Sequence, residues 1–118
     1  MKASMEARYG NLDEIAWYKQ NSEGQTHDVA QKRANGFGLY DMLGNVWEWV
    51  NDWYDQNYYQ NSPSQDPSGP TGGQIRVLRG GSWYDNPSSV RVSDRDGGNP
   101  GVRYGLYGFR CGREVLAP

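Results

Sequence analysis

The chain has 118 residues, with 12 basic and 14 acidic side chains, one histidine, one cysteine and 16 glycines. This length suits a single domain with one compact core. No basic run could neutralise successive phosphates, and no stretch reaches the roughly 20 apolar residues that cross a bilayer. The amino terminus lacks the apolar segment of a signal peptide. We therefore expect no nucleic-acid partner and no membrane insertion.

The order of the predicted elements follows from turn residues and from the alternation of side chains. They are an amino-terminal arm at residues 1–10, a short helix or strand at 13–17, a turn at 21–24, a strand at 46–50, a long surface loop at 55–73, a strand at 75–79 and a closing strand at 109–115. The strand at 46–50 places Trp47 and Trp49 together on one face, where we expect them to anchor the core. Between the last two strands, residues 82–108 are polar and glycine-rich and show no periodicity.

The single histidine and the single cysteine limit the possible chemistry. Because Cys111 is the single cysteine, the chain cannot form an internal disulfide or a multi-cysteine metal site. Because His27 is the single histidine, it cannot form a three-histidine iron centre. We expect Cys111 to be a small buried thiol. A Ser/His/Asp arrangement is open by composition, but His27 lies in a polar, turn-like stretch.

Three sequence blocks carry a family resemblance. GLYDMLGNVWEW at 38–49, RVLRGGSW at 76–83 and GFRC at 108–111 follow the order and spacing of the formylglycine-generating enzymes, or sulfatase-modifying factors, and NLDEIAWY at 11–18 is a weaker match. The chain resembles the carboxyl-terminal half of the longer family members. The resemblance implies an α+β domain over residues 11–118, a short and loop-rich form of the C-type lectin fold.

The same resemblance argues against the family's oxidation chemistry. Two cysteines beyond the GGS motif bind copper in the oxidase members, and the matching positions here are Asp85 and Val90. Neither residue can supply the soft thiolate that copper(I) prefers. We therefore expect no enzyme activity of this kind and no bound copper or iron.

A calcium site is implied by the first block. The family uses one polar side chain, two backbone carbonyls and a glutamate there, and the matching residues are Asp41, Gly44, Val46 and Glu48. Calcium takes about six to eight oxygen ligands, so water or further backbone groups would complete this set. The alternative is that Asp41 is a turn residue and that Glu48 is a half-buried acid paired with an arginine.

Residues 84–112 have an unusual composition. They contain no Lys, Glu, Gln, Met or Trp, although these five types make up about a quarter of the other residues. Codons that end in C or T cannot encode those five types, and several of the residues present are reached from an asparagine codon by changing its adenines. This bias is typical of the variable proteins of diversity-generating retroelements, which share the lectin-type fold and vary near the carboxyl terminus. A biased but ordinary surface loop is the alternative.

The variable region is expected at residues 84–107, where short runs interrupt a frame of glycine, proline and arginine residues. Tyrosine, serine and asparagine favour adaptable recognition surfaces. The predicted contact residues are Tyr84, Asp85, Asn86, Ser88, Ser89, Asp94, Asp96, Val102, Tyr104, Leu106 and Tyr107.

The sequence therefore predicts a non-catalytic protein that is displayed on a cell or virus surface and binds a protein or glycan ligand. One alternative is an enzymatic or accessory family member that takes its missing metal ligands from a partner chain. Another is a structural subunit, and the oligomeric state is open. The fold itself does not imply sugar binding, since no Glu-Pro-Asn or Gln-Pro-Asp motif occurs in the chain.

Overall fold

A computed structural model describes residues 11–61 and 69–112. Their regular elements, in chain order, are α1 (Leu12–Ile15), β1 (Trp47–Trp53), α2 (Tyr58–Asn61), β2 (Arg76–Arg79), β3 (Arg95–Gly98) and β4 (Tyr107–Gly108). The expected arm at residues 1–10 and part of the expected loop at 55–73 lie outside the described residues. The helices among the described residues lack the length and apolar character that a membrane-spanning helix needs.

Helix α1 is a single turn with a clear start. The side chain of Asn11 caps it by accepting a hydrogen bond from the amide of Asp13 at 2.9 Å. The helix ends at Ile15, because the next residue, Ala16, has an extended backbone, and Ile15 is the buried residue of the helix. The predicted short element at 13–17 is therefore a helix, and the predicted turn follows it.

The four strands form one sheet in the order β3-β2-β1-β4. Strand β2 is antiparallel to both β1 and β3, whereas β4 is parallel to β1. One row of paired residues crosses the whole sheet: Arg95, Arg79, Glu48 and Gly108. The predicted strands at 46–50 and 75–79 are confirmed, and β1 continues past an irregularity to Trp53.

Strand β3 was not expected, because the sequence RDGG has little intrinsic strand preference. It forms because glycine leaves room for large neighbours. A Cβ atom on Gly98 would lie 2.9 Å from the Trp49 ring and 3.0 Å from the Leu78 side chain. Tertiary packing thus overrides local preference here.

The closing strand is earlier and shorter than predicted. Strand β4 consists of Tyr107 and Gly108, and residues 109–112 are not in a strand. Phe109 is 76% exposed, so it does not pack as a core residue. The remainder of the predicted strand, residues 113–115, lies outside the described residues.

The core has two parts. Beneath α1, a cluster brings together Ile15, Ala16, Tyr18, Leu43 and Val90. In the sheet, the buried side chains are Trp47, Val77 and Leu78. Trp47 is core, as expected, whereas Trp49 is only half-buried.

Candidate binding surface

Trp83 is hydrogen-bonded to three distant parts of the chain. Its amide donates a hydrogen bond to the carbonyl of Asn45 at 2.8 Å, and its carbonyl accepts one from the Ser22 hydroxyl at 2.7 Å. Its indole Nε1 donates to the carbonyl of Gly105 at 3.2 Å. The backbone of Trp83 is thereby fixed, and the segment after β2 is held against the segment before β4.

Two tyrosines flank that link. Tyr84 follows Trp83 and is 60% exposed, and Tyr104 precedes Gly105 and is 59% exposed. The hydrogen bond between Trp83 and Gly105 thus joins the two segments that carry these exposed tyrosines. We call Trp83, Tyr84, Tyr104, Gly105 and Tyr107 the tyrosine face.

Ring contacts make the tyrosine face continuous with the sheet. The rings of Tyr84 and Trp83 meet edge to face, with centroids 5.8 Å apart. Tyr104 contacts Tyr107 in the same way at 5.4 Å, and Tyr107 contacts Trp49 at 5.4 Å. Tyr107 is half-buried, and its ring links the exposed ring of Tyr104 to Trp49 of β1.

The other predicted contact residues differ in exposure. Asn86, Ser88, Asp96 and Val102 are exposed, whereas Ser89, Asp94 and Leu106 are half-buried. Asp94 pairs with Arg91 at 2.8 Å, and the Leu106 carbonyl accepts a hydrogen bond from the Trp47 amide.

The structure does not bring all of these residues together. Asp96 lies in β3, and Tyr107 lies in β4 at the opposite edge of the sheet. Three strand spacings separate these edges, which is roughly 14 Å. A protein-sized ligand could touch both edges, but a small ligand on the tyrosine face would not reach Asp94 or Asp96.

Asp85 has a different setting from its neighbours. Its Oδ2 atom accepts hydrogen bonds from the Ser82 amide at 3.0 Å, the Ser82 hydroxyl at 2.5 Å and the Trp47 indole at 2.8 Å. All three donors belong to the protein itself, so this oxygen is occupied by internal hydrogen bonds. Val90, the second position that the resemblance matches to a copper cysteine, is fully buried in the core.

One of the predicted calcium residues, Asp41, is an incompletely satisfied acid. Asp41 is 7% exposed, and its Oδ2 atom accepts a hydrogen bond from the Ala30 amide at 2.8 Å. Its Oδ1 atom is buried and has no hydrogen-bond partner among the described residues. Burial raises the pKa of the Glu48 carboxyl, Arg110 partly offsets this, and the charge of Asp41 raises it further. A cation would satisfy the unpartnered oxygen of Asp41, and carboxylate and carbonyl oxygens are ligands that calcium takes.

Arg110 already supplies a positive charge at this place. Its Nε atom donates to the Glu48 carboxylate at 2.6 Å, and a terminal nitrogen donates to the Asp41 carbonyl at 2.8 Å. Asp41 also has a positive φ of 55°. These contacts match the alternative of a turn residue and an acid paired with arginine.

The backbone part of the calcium prediction concerns Gly44 and Val46. Gly44 has a φ of +76° and donates its amide to the carbonyl of Gly80 at 2.7 Å. Val46 is half-buried and packs against Gly108. Among residues 11–61 and 69–112, no three His, Cys, Asp or Glu side chains form a metal-binding group. A metal ion here would therefore depend on backbone carbonyls.

His27 and Cys111 take no part in a reactive arrangement among the described residues. The His27 ring stacks on Trp17 with centroids 3.7 Å apart, and its Nε2 lies 2.6 Å from the Ser22 carbonyl. Cys111 is exposed, so the expectation of a buried thiol was wrong. It lies beyond β4, where the predicted closing strand would have buried it.

Sequence reasoning missed two contributors to the tyrosine face. Gly105 was passed over, although its position between Tyr104 and Tyr107 could have drawn attention to it. Lys19 places its ammonium group 5.8 Å from the centre of the Tyr84 ring. No sequence signal connects two residues so far apart in the chain.

Comparison with known proteins identifies the family. The model of the sulfatase-modifying factor enzyme 1-like domain matches residues 2–115. The chain belongs to this family. It is 45% identical to the formylglycine-generating enzyme of Streptomyces coelicolor over 93 residues, which is 76% of this chain and 30% of that protein. It is also 45% identical to the serine/threonine-protein kinase pkn1 of Chlamydia caviae over 92 residues, or 76% of this chain and 15% of that protein.

Two further matches bear on function. Treponema denticola variable protein 1 superposes with a TM-score of 0.72 and 41% identity, over 83% of this chain and 35% of that one. The inactive Cα-formylglycine-generating enzyme 2 of Mus musculus is 36% identical over 89 residues, or 71% of this chain and 24% of that protein. These matches confirm the lectin-type fold of the family. The chain spans about one third or less of the length of each protein named here.

Proposed function

We propose that this chain is a non-catalytic, ligand-binding family member, a variable protein of a diversity-generating retroelement, whose tyrosine face contacts a protein or glycan on a target surface. The observation that carries the proposal is the link between Trp83 and Gly105, whose chain neighbours Tyr84 and Tyr104 are both exposed. Tyrosine suits such a surface, because it offers large amphipathic area at a low cost in conformational entropy.

The composition of residues 84–112 supports the variable part of the proposal. The exposed rings of the tyrosine face fall in this segment, whereas Trp83, which holds them, stands just before it. The likeness to the Treponema variable protein adds support from a solved structure. A fixed frame with exposed variable side chains is the arrangement that diversification requires.

The proposed lack of catalysis rests on Asp85 and Val90. The resemblance matches both to copper-binding cysteines, yet one accepts three internal hydrogen bonds and the other is core. Neither side chain offers a soft ligand for copper(I). The existence of an inactive relative shows that members of this family can lack the enzyme activity.

Sequencing the 3′ end of the gene across a population tests the proposal. We expect copies to differ at adenine-derived positions in codons 84–107, with the Gly80-Gly81-Ser82-Trp83 block unchanged. A reverse transcriptase gene beside a near-copy of codons 80–112 would support the same conclusion. Differences scattered evenly over the gene would contradict it.

A second candidate is an enzymatic or accessory function, and the identity to formylglycine-generating enzymes favours it. It requires metal ligands from a partner chain. Metal analysis and oxygen consumption of the purified chain, alone and with co-purifying proteins, discriminate between the two. Tightly bound copper together with oxygen uptake would favour the enzyme.

We also propose that Asp41 and Glu48 can hold calcium, with carbonyls of Gly44 and Val46. The supporting observation is the buried, unpartnered Oδ1 atom of Asp41. Calcium would then stabilise the fold by binding the native state alone. Thermal unfolding with calcium and with a chelator tests this: the midpoint should rise for the native chain and stay constant for Asp41→Asn. An unchanged midpoint in the native chain would refute calcium binding.

A further inference from the structure

Both the side chain and the backbone of Asp85 form hydrogen bonds, and these bonds reach several parts of the protein. Its carboxylate binds Ser82 and the indole of Trp47, which is 5% exposed. Its carbonyl accepts a hydrogen bond from the Lys19 amide at 3.0 Å, and its own amide donates to the Ser82 carbonyl at 3.1 Å. The residue thus connects the segment after β2 to strand β1 and to the region after α1.

The adjacent side chain is presented very differently. Tyr84 is 60% exposed, and its backbone amide donates to the Ser82 hydroxyl at 3.2 Å. The same hydroxyl donates to Asp85. The position of Tyr84 therefore depends on a hydrogen-bond chain that ends at the carboxylate of Asp85.

We infer that Asp85 is a positioning residue that stays constant while its neighbours vary. This inference rests on the proposed function, and it assigns Asp85 a role other than the ligand contact that the sequence predicts. Its physical basis is that the Oδ2 atom of Asp85 accepts hydrogen bonds from three donors, two of which are a buried indole and a backbone amide. Among the residues that C-ending or T-ending codons supply, Asp and Asn alone have a side-chain carbonyl-type oxygen at this reach.

Hydrogen exchange measures the positioning role without any ligand. We expect Asp85→Ala to speed exchange of the amides of residues 83–85 at least tenfold relative to those of β1 and β2. Asp85→Asn, which keeps one oxygen acceptor, should give a smaller effect, and it provides the measurement should the alanine variant fail to fold. The matched control is Asp96→Ala, which removes an exposed aspartate from the same segment.

Two exchange results would overturn the inference. One is unchanged exchange at residues 83–85 in both Asp85 variants. The other is an equal increase throughout the sheet, because that would indicate general destabilisation and not a local positioning role.

Gene copies provide an independent test. Copies that differ at positions 84 and 104 should keep Asp, or occasionally Asn, at position 85. If position 85 varied as freely as position 84, the inference would fail while the proposed function stood. If the copies did not vary in this region, the proposed function would fail, and the exchange result would still decide the positioning role of Asp85.

Discussion

The indole Nε1 of Trp83 lies 3.2 Å from the carbonyl oxygen of Gly105, and this contact spans 22 positions of sequence. It joins the segment after β2 to the segment before β4. A binding surface made of loops needs such fixed points, because loops otherwise exchange among conformations and bind at a cost in entropy.

Replacing Trp83 by phenylalanine tests this link. The variant keeps an aromatic ring but loses the donor, so we expect a loss of about 1 kcal/mol or less in the free energy of unfolding. The larger effect should be increased motion of residues 104–107, measured by backbone NMR relaxation. Tyr84→Phe is the control, since it removes only the hydroxyl of an exposed ring. Unchanged relaxation in Trp83→Phe would show that the link does not restrain this segment.

The pairing of Glu48 with Arg110 gives a pH-dependent prediction. Burial raises the pKa of Glu48 above that of the unfolded chain, and Arg110 opposes this. A raised pKa means that the stability contributed by Glu48 is present at low pH and is lost as the pH rises through the folded-state value. Removing Arg110 should raise the pKa further and enlarge that loss.

Denaturant unfolding between pH 4 and pH 7 checks this sign. Arg110→Ala should be destabilised by roughly 1 kcal/mol at pH 7, a modest figure because Arg110 is partly exposed, and by less at pH 4. When Glu48→Gln is also present, the loss in the free energy of unfolding caused by Arg110→Ala should be the same at pH 4 and pH 7. The control variant Arg103→Ala removes an exposed arginine, and its stability loss should not differ between pH 4 and pH 7. A larger loss at pH 4 than at pH 7 would contradict the assignment.

Much of the sheet was predictable because its strands carry local signals. The alternation around Trp47 and the Gly80-Gly81 stop define two strands, and both were confirmed. Strand β3 was not predictable, because Gly97 and Gly98 are accepted there for the space that they leave to Trp49 and Leu78. Such a strand depends on partners that lie far away in the sequence.

The candidate site shows the same division. Composition alone placed Tyr84 and Tyr104 in an exposed segment, because tyrosine and small polar residues suit a surface. Composition could not show that Asp85 differs from these tyrosines. The carboxylate oxygen of Asp85 accepts hydrogen bonds from Ser82 and Trp47 within the protein. Exposure is partly encoded in residue type, but the direction of a polar side chain depends on the folded neighbours.

Tyr18 predicts a loss of stability at alkaline pH. Its hydroxyl donates to the carboxylate of Asp13. Burial, this hydrogen bond and the charge of Asp13 together raise the pKa of Tyr18 to about 12. The unfolded tyrosine ionises near pH 10, so the contribution of Tyr18 is full below that value and is lost as the pH rises towards 12.

Urea unfolding at pH 8, 9.5 and 11 distinguishes Tyr18 from the other tyrosines. Tyr18→Phe should be less stable than the native chain at pH 8, by about 1 kcal/mol, because the hydrogen bond is lost. It should also lose less stability than the native chain between pH 9.5 and pH 11. Parallel curves for the two proteins would argue against a raised pKa for Tyr18.

Gly44 is the position where we expect a single methyl group to be most damaging. Its φ of +76° disfavours any side chain, and a Cβ atom would lie 2.3 Å from the carbonyl oxygen of Trp17. Strain in the left-handed region costs about 1–2 kcal/mol, and overpacking adds about 1–3 kcal/mol. The Gly44→Ala variant should therefore lose roughly 2–5 kcal/mol, measured by chemical denaturation, or should fail to fold. Gly72→Ala is the matched control, because a Cβ atom there meets nothing within 4 Å. Equal stability of the two variants would mean that the backbone contact between Gly44 and Trp17 is not required for folding.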